Sequence, residues 1–238
     1  MHCSLLFLAE NDLAYVWRQA TPEAKAIIVV LVFFSIFAWS TMAHKAHQMR
    51  RARKLNQFFD TEFHQQQLVM EVYDRQVHVT DCPLFMVYQE GCKELDAHLR
   101  RNVAEGQRKK YVSLKAIEHV KRTLESAVAR ESLRLESGLI LLAIAVSGAP
   151  FLGLLGTVWG VMSAFSYVAK AGKADLATMA PGVAAALVTT VAGLLVAIPS
   201  MFGYNWLVHN LRVATVQLDN FAQELISKIE TEYLKDDE

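Results

Sequence analysis

Gly138–Ala169, GLILLAIAVSGAPFLGLLGTVWGVMSAFSYVA, and Gly182–Val208, GVAAALVTTVAGLLVAIPSMFGYNWLV, contain no charged residue. Crossing the hydrocarbon core of a bilayer takes about 20 apolar residues in a helix, so both stretches read as membrane spans. The first, taken as residues 137–169, is long for one crossing. Tilt, or a kink at Gly148 and Pro150, accommodates the excess, and Pro199 marks a kink in residues 182–208. Between them KAGKADLATMAP, residues 170–181, reads as a short polar hairpin outside the membrane.

A third apolar run lies upstream at Ala26–Ala43, AIIVVLVFFSIFAWSTMA. Thr21-Pro22 supplies its start, and Trp17 and Trp39 fall near the two membrane interfaces. Directly after it, HKAHQMRRARK carries Lys45, Arg50, Arg51, Arg53 and Lys54. Before it, Arg18 and Lys25 are offset by Glu10, Asp12 and Glu23. Cationic loops stay in the cytoplasm, so the N-terminus is expected outside and the basic cluster inside. Residues 1–25 then form a short periplasmic or interfacial segment. MHCSLLFLAEND lacks the basic region and cleavage site of a signal peptide, which favours an interfacial role.

The rest follows by alternation. Residues 44–136 read as a cytoplasmic helical domain broken around Thr80–Pro83, and residues 209–238 as a cytoplasmic tail helix. Ile117, Val120, Leu124, Val128 and Leu135 recur at helical spacing. Arg130, Glu131, Arg134 and Glu136 are placed for pairs along one helix, and Arg100–Lys110 reads as a solvated turn region. The expected class is an all-α membrane protein, with three transmembrane helices and long cytoplasmic helical extensions.

Composition excludes several functions. The 238 residues are 53% apolar, and Lys+Arg and Asp+Glu balance at 24 each. No basic surplus is left to neutralise a nucleic acid. Cys3, Cys82 and Cys92 form no metal or disulfide pattern. His44 and His47 have no acidic or thiol neighbour and read as part of a solvated basic face. No cofactor motif occurs, and no His, Cys or acidic cluster converges near a span end as an enzyme would require.

The three spans differ in kind. The first is Ile, Val, Leu and Phe, suited to lipid. The second carries Gly153, Gly156 and Gly160; the third steps through Ala186, Thr190, Gly193 and Ala197. Small residues on one face let helix backbones approach closely. Thr157, Thr189 and Thr190 add hydroxyls near mid-depth. They suggest a narrow polar lining able to order water or an ion, with bonding to their own helix as the alternative, favoured for Thr189. No Asp, Glu, Lys, Arg or His lies in any span. A proton path therefore needs a carboxylate from another subunit.

GAPFLGLLGTVWGVMSAF, followed by APGVAAALVTTVAGLLVAIPSMFGYN, strongly resembles the two core helices of the MotA/TolQ/ExbB proton-channel family. The likeness covers roughly residues 148–211 and is greatest to the TolQ branch, with ExbB close behind. It implies a multi-pass protein of the bacterial inner membrane, assembled as a homopentamer. The pentamer would surround a dimer of a TolR-like or ExbD-like single-span partner bearing a membrane aspartate. Proton flow would drive rotation, with a TolA-like or TonB-like protein carrying force to the outer membrane, and phospholipid as the surrounding partner. The resemblance places Thr157 and Thr190 at the two pore-facing threonines, and makes Trp159, Pro181, Pro199 and Tyr204 structural positions. Two departures stand out. Relatives commonly carry a glutamate where this chain has Ala185, and an alanine where it has Thr189. The extra hydroxyl raises sodium as an alternative ion. A passive membrane scaffold is the competing function.

Overall fold

The computed structural model describes residues 21–75, 79–101, 108–172 and 176–234. The expected interfacial segment at the N-terminus and the KDDE terminus lie outside these residues. Six helices account for most of the described chain: α1 (Pro22–Gln65), α2 (Glu71–Asp74), α3 (Pro83–Arg100), α4 (Leu114–Glu136), α5 (Leu139–Ala171) and α6 (Leu176–Tyr233). Three of them, α1, α5 and α6, are long and apolar enough to cross a membrane.

Several boundaries differ from expectation. α6 is one helix from Leu176 to Tyr233, so residues 209–233 continue the third apolar helix instead of forming a separate tail helix. Pro181 sits inside α6 rather than in a hairpin, because the turn after Ala171 occupies less than residues 170–181. Gly172, with φ 65°, ends α5 by adopting the left-handed conformation that glycine reaches without strain. α5 and α6 continue through Pro150 and Pro199.

The chain divides into two compact units. Unit 1 holds Met1–His44 and Gly138–Trp206. Its small residues allow the three apolar helices to touch: Leu31 of α1, Ala149 of α5 and Ala197 of α6 form one buried cluster. Ala24 of α1 packs on Ala185 of α6. Only 11% of the most apolar stretch of α1 is buried, against 33% in α5 and in α6. Bulky aliphatic side chains on α1 are therefore left exposed.

Unit 2 holds Lys45–Ser137 and Leu207–Glu238. Its core joins Phe59 and Phe63 of α1, Phe85 and Tyr88 of α3, Val120 and Leu124 of α4, and Phe221 and Leu225 of α6. All five apolar positions expected on the helical repeat of α4 are buried. Gly91 admits α4 closely, since a Cβ there would lie 2.6 Å from Leu124. The phenol buried in this core is matched: Tyr88 donates its hydroxyl to the Val69 carbonyl at 2.6 Å and accepts from the Tyr73 amide at 3.0 Å.

Two expectations about surface charge are corrected. Arg130 reaches Glu90 on α3, and Arg134 reaches Asp81 as well as Glu131, so these arginines bind across elements rather than chiefly along α4. Arg108 is no free solvated charge either. It grips Asp74 through two hydrogen bonds and pairs with Asp96 at 2.6 Å, and Arg100 also pairs with Asp96. Contact with two carboxylates holds the Arg108 guanidinium well above its ordinary range.

Candidate functional site: the seam between α5 and α6

Glycine spacing on α5 matches small-residue spacing on α6, and the two helices close on each other in antiparallel order. A Cβ on Gly160 would lie 2.6 Å from the Ala186 Cβ. One turn back, a Cβ on Gly156 would strike the Thr189 side chain. A Cβ on Gly153 would lie 2.9 Å from the Thr189 carbonyl and 3.0 Å from the Thr190 Cα. A Cβ on Gly193 would lie 2.6 Å from the Ala149 carbonyl. Gly153, Gly156, Gly160, Ala186 and Gly193 thus meet in a single seam. Ala197 belongs instead to the junction with Leu31 and Ala149.

The Ala149 contact went unread at sequence level. Its signal was present, because Ala145, Ala149 and Gly153 continue the small-residue repeat four residues at a time toward the start of α5.

Three hydroxyls decorate this seam, and they are not equivalent. Thr189 is completely buried; its Oγ1 donates to the Ala186 carbonyl at 2.6 Å and also lies 3.1 Å from the Gly153 carbonyl. Thr190 is half-buried and donates to that same Gly153 carbonyl across the seam at 3.2 Å. Thr157 is half-buried one turn along α5 from Gly153 and donates to the Leu154 carbonyl at 2.7 Å. Thr189 thus bonds its own helix through Ala186, the alternative favoured for it over a pore lining. It is a packing residue enclosed by its own chain, and its hydroxyl satisfies the buried seam.

Thr157 and Thr190 differ from Thr189 in exposure rather than in chemistry. Each spends its single proton on a backbone carbonyl, so the oxygen lone pairs are what remain. Such a pair accepts from a protonated partner or coordinates a cation; it offers no proton of its own.

The positions read as structural scatter. Trp159 is exposed on α5, Pro181 and Pro199 are half-buried within α6, and Tyr204 is half-buried near the end of unit 1. Ala185 is buried against Ala24, so this position packs on α1. His44 and His47 are exposed on α1.

The profile of the MotA/TolQ/ExbB proton channel family matches residues 94–220, which include the whole seam. The Tol-Pal system protein TolQ of Pseudomonas aeruginosa is 34% identical over 191 residues, 79% of each chain. TolQ of Haemophilus influenzae is 31% identical over 226 residues, 91% of this chain and 92% of that protein. The biopolymer transport protein ExbB of Neisseria meningitidis serogroup A is 28% identical over 214 residues, 90% of this chain and 95% of that protein.

Proposed function

The chain belongs to the MotA/TolQ/ExbB proton channel family, and on that footing we propose that it is the stator-like subunit of an ion-driven machine in the bacterial inner membrane. The reading is a homopentamer whose α5 and α6 helices surround two copies of a TolR-like or ExbD-like single-span partner. The partner supplies the membrane carboxylate, and proton passage turns one component against the other. A TolA-like or TonB-like protein then carries force to the envelope.

The observation that carries this reading is the state of the two threonines beside the seam. Their protons are committed to Leu154 and Gly153, leaving acceptor oxygens. A carboxylic acid moving past donates to such an oxygen while protonated and loses that bond on ionisation. The spans themselves contain no titratable aspartate, glutamate, lysine, arginine or histidine. The chain is thus suited to reading a partner's protonation state rather than carrying the proton itself.

Thr157→Val and Thr190→Val test it. Each removes a hydroxyl at nearly constant volume and is expected to abolish proton uptake by vesicles holding the complex, with assembly kept. Normal uptake by both variants would sink the assigned role. The enclosure of the Thr189 hydroxyl supports a proton rather than sodium in this reading.

Similarity to TolQ over most of the chain favours a Tol-Pal role. The similarity to ExbB favours energising transport instead. Deleting the gene separates them: detergent sensitivity of the outer membrane marks the first, and loss of energised uptake with an intact outer membrane marks the second. A passive scaffold would keep working when the proton gradient is dissipated.

A further inference from the structure

Cations are unevenly used in the first turns of α1 beyond the apolar run. Lys45 turns into the protein, 5% exposed, and donates to the Leu135 carbonyl and the Gln48 side chain. Arg51 pairs with Asp81 at 3.3 Å. Arg50, Arg53 and Lys54 are exposed, and none of them reaches a carboxylate among the described residues. Elsewhere in unit 2, Arg75, Arg100, Arg108, Arg130 and Arg134 each do. Exposed lysines such as Lys115 and Lys121 do not, so it is their place beside the apolar run that sets Arg50, Arg53 and Lys54 apart.

Helical register says what these three cations face. Val29, Val32, Ile36, Trp39 and Ala43 are exposed on α1 at steps of three and four. The same step carried along this uninterrupted helix reaches His47, Arg50 and Lys54, with Arg53 flanking. At 3.6 residues per turn, Met49, Ala52, Asn56 and Phe59 fall on the opposite side, and all four are buried. The lipid-facing stripe therefore changes from apolar to cationic without changing face.

The distances suit a headgroup. Arg50 follows Ala43 by a rise of about 10 Å at roughly 1.5 Å per residue. The headgroup layer is about 5–7 Å thick on each side of the hydrocarbon. Long arginine and lysine side chains reach back across that gap while their stems lie along the helix.

We propose that Arg50, Arg53 and Lys54, with His47 beside them, bind the phosphate of anionic phospholipid at the membrane surface. Unpaired positive charge next to a span attracts anionic headgroups and has little affinity for zwitterionic ones. The site involves neither threonine nor a partner carboxylate, so it stands or falls separately from the channel reading.

Native mass spectrometry of the full chain in mild detergent, offered equal phosphatidylglycerol and phosphatidylcholine, reads the preference. At roughly 1 kcal/mol per cation, wild-type protein is expected to retain the anionic lipid at least about tenfold better. The R50Q/R53Q/K54Q variant brings that ratio close to one, and R50K/R53K leaves it unchanged. K115Q/K121Q/R122Q removes as much charge from exposed positions on α4 and keeps the preference. Equal retention of the two lipids by the wild-type protein overturns the proposal, whatever the variants do. So does an unchanged ratio in R50Q/R53Q/K54Q, or an equal loss in the α4 variant.

Discussion

Thr189 and Thr190 are neighbours of identical chemistry with different fates. One is sealed in the seam and the other is half-buried at its edge. Nothing in the two letters distinguishes them, because a helix turns about 100° per residue and burial depends on where α5 docks. Contact between Gly156 and Thr189 gives a size-swap test. Gly156→Ala places a methyl against the Thr189 side chain and is expected to cost about 1–3 kcal/mol in a thermal or denaturant melt of the solubilised protein. Adding Thr189→Ala makes room, so the double variant should recover part of that loss. Costs that simply add would contradict the contact. The glycine spacing itself was legible; which threonine it enclosed was not.

Among the elements, the junction of α4 and α5 was the least legible. The apolar and charged patterns run together there, and residues 114–171 invite reading as one helix. The structure breaks it at Ser137 and Gly138, where Gly138 has φ 84°. Three carbonyls at the end of α4 are met: Leu133 by the Ser137 amide, Arg134 by the Ser137 hydroxyl, and Leu135 by the Lys45 ammonium. Gly138→Ala forces a Cβ into the left-handed region and should cost about 1–2 kcal/mol. Lys45→Met strands a buried carbonyl and should cost about 1 kcal/mol.

Lys45 also has a pH signature. Burial lowers its pKa, so the folded chain binds fewer protons than the unfolded chain between the folded and unfolded values. Its contribution to stability is complete above the ordinary lysine range and is lost as pH falls through the lowered value. Comparing melts of wild type and Lys45→Met across alkaline pH reads that slope; parallel curves would contradict it. No local pattern could announce this contact, since Lys45 and Leu135 are 90 residues apart.

At the scale of the whole molecule, α1 and α6 are 44 and 58 residues long. At about 1.5 Å per residue each far exceeds a hydrocarbon core of roughly 30 Å, so much of each helix lies outside the bilayer. The proposed topology, three crossings with the N-terminus outside, puts the termini on opposite sides. A membrane-impermeant maleimide added to spheroplasts should therefore label Cys3 and leave a cysteine introduced by Lys235→Cys untouched until the membrane is permeabilised. Equal labelling of both sites would remove the proposed topology.

The sequence by itself determined three spans, small-residue faces on the last two, and the absence of a titratable group within the membrane. These properties are local: they need only twenty-odd apolar residues, a helical repeat and a count of charges. Only the tertiary structure decided that Thr189 is packing while Thr190 and Thr157 present acceptor oxygens, that Ala185 faces Ala24, and that Lys45 closes the end of α4. Those outcomes depend on the rotation and depth at which one helix meets another, and packing against distant residues sets both. Residues 137–169 and 182–208 thus announced that two helices must meet. Their docking chose which hydroxyls stay enclosed and which remain half-buried.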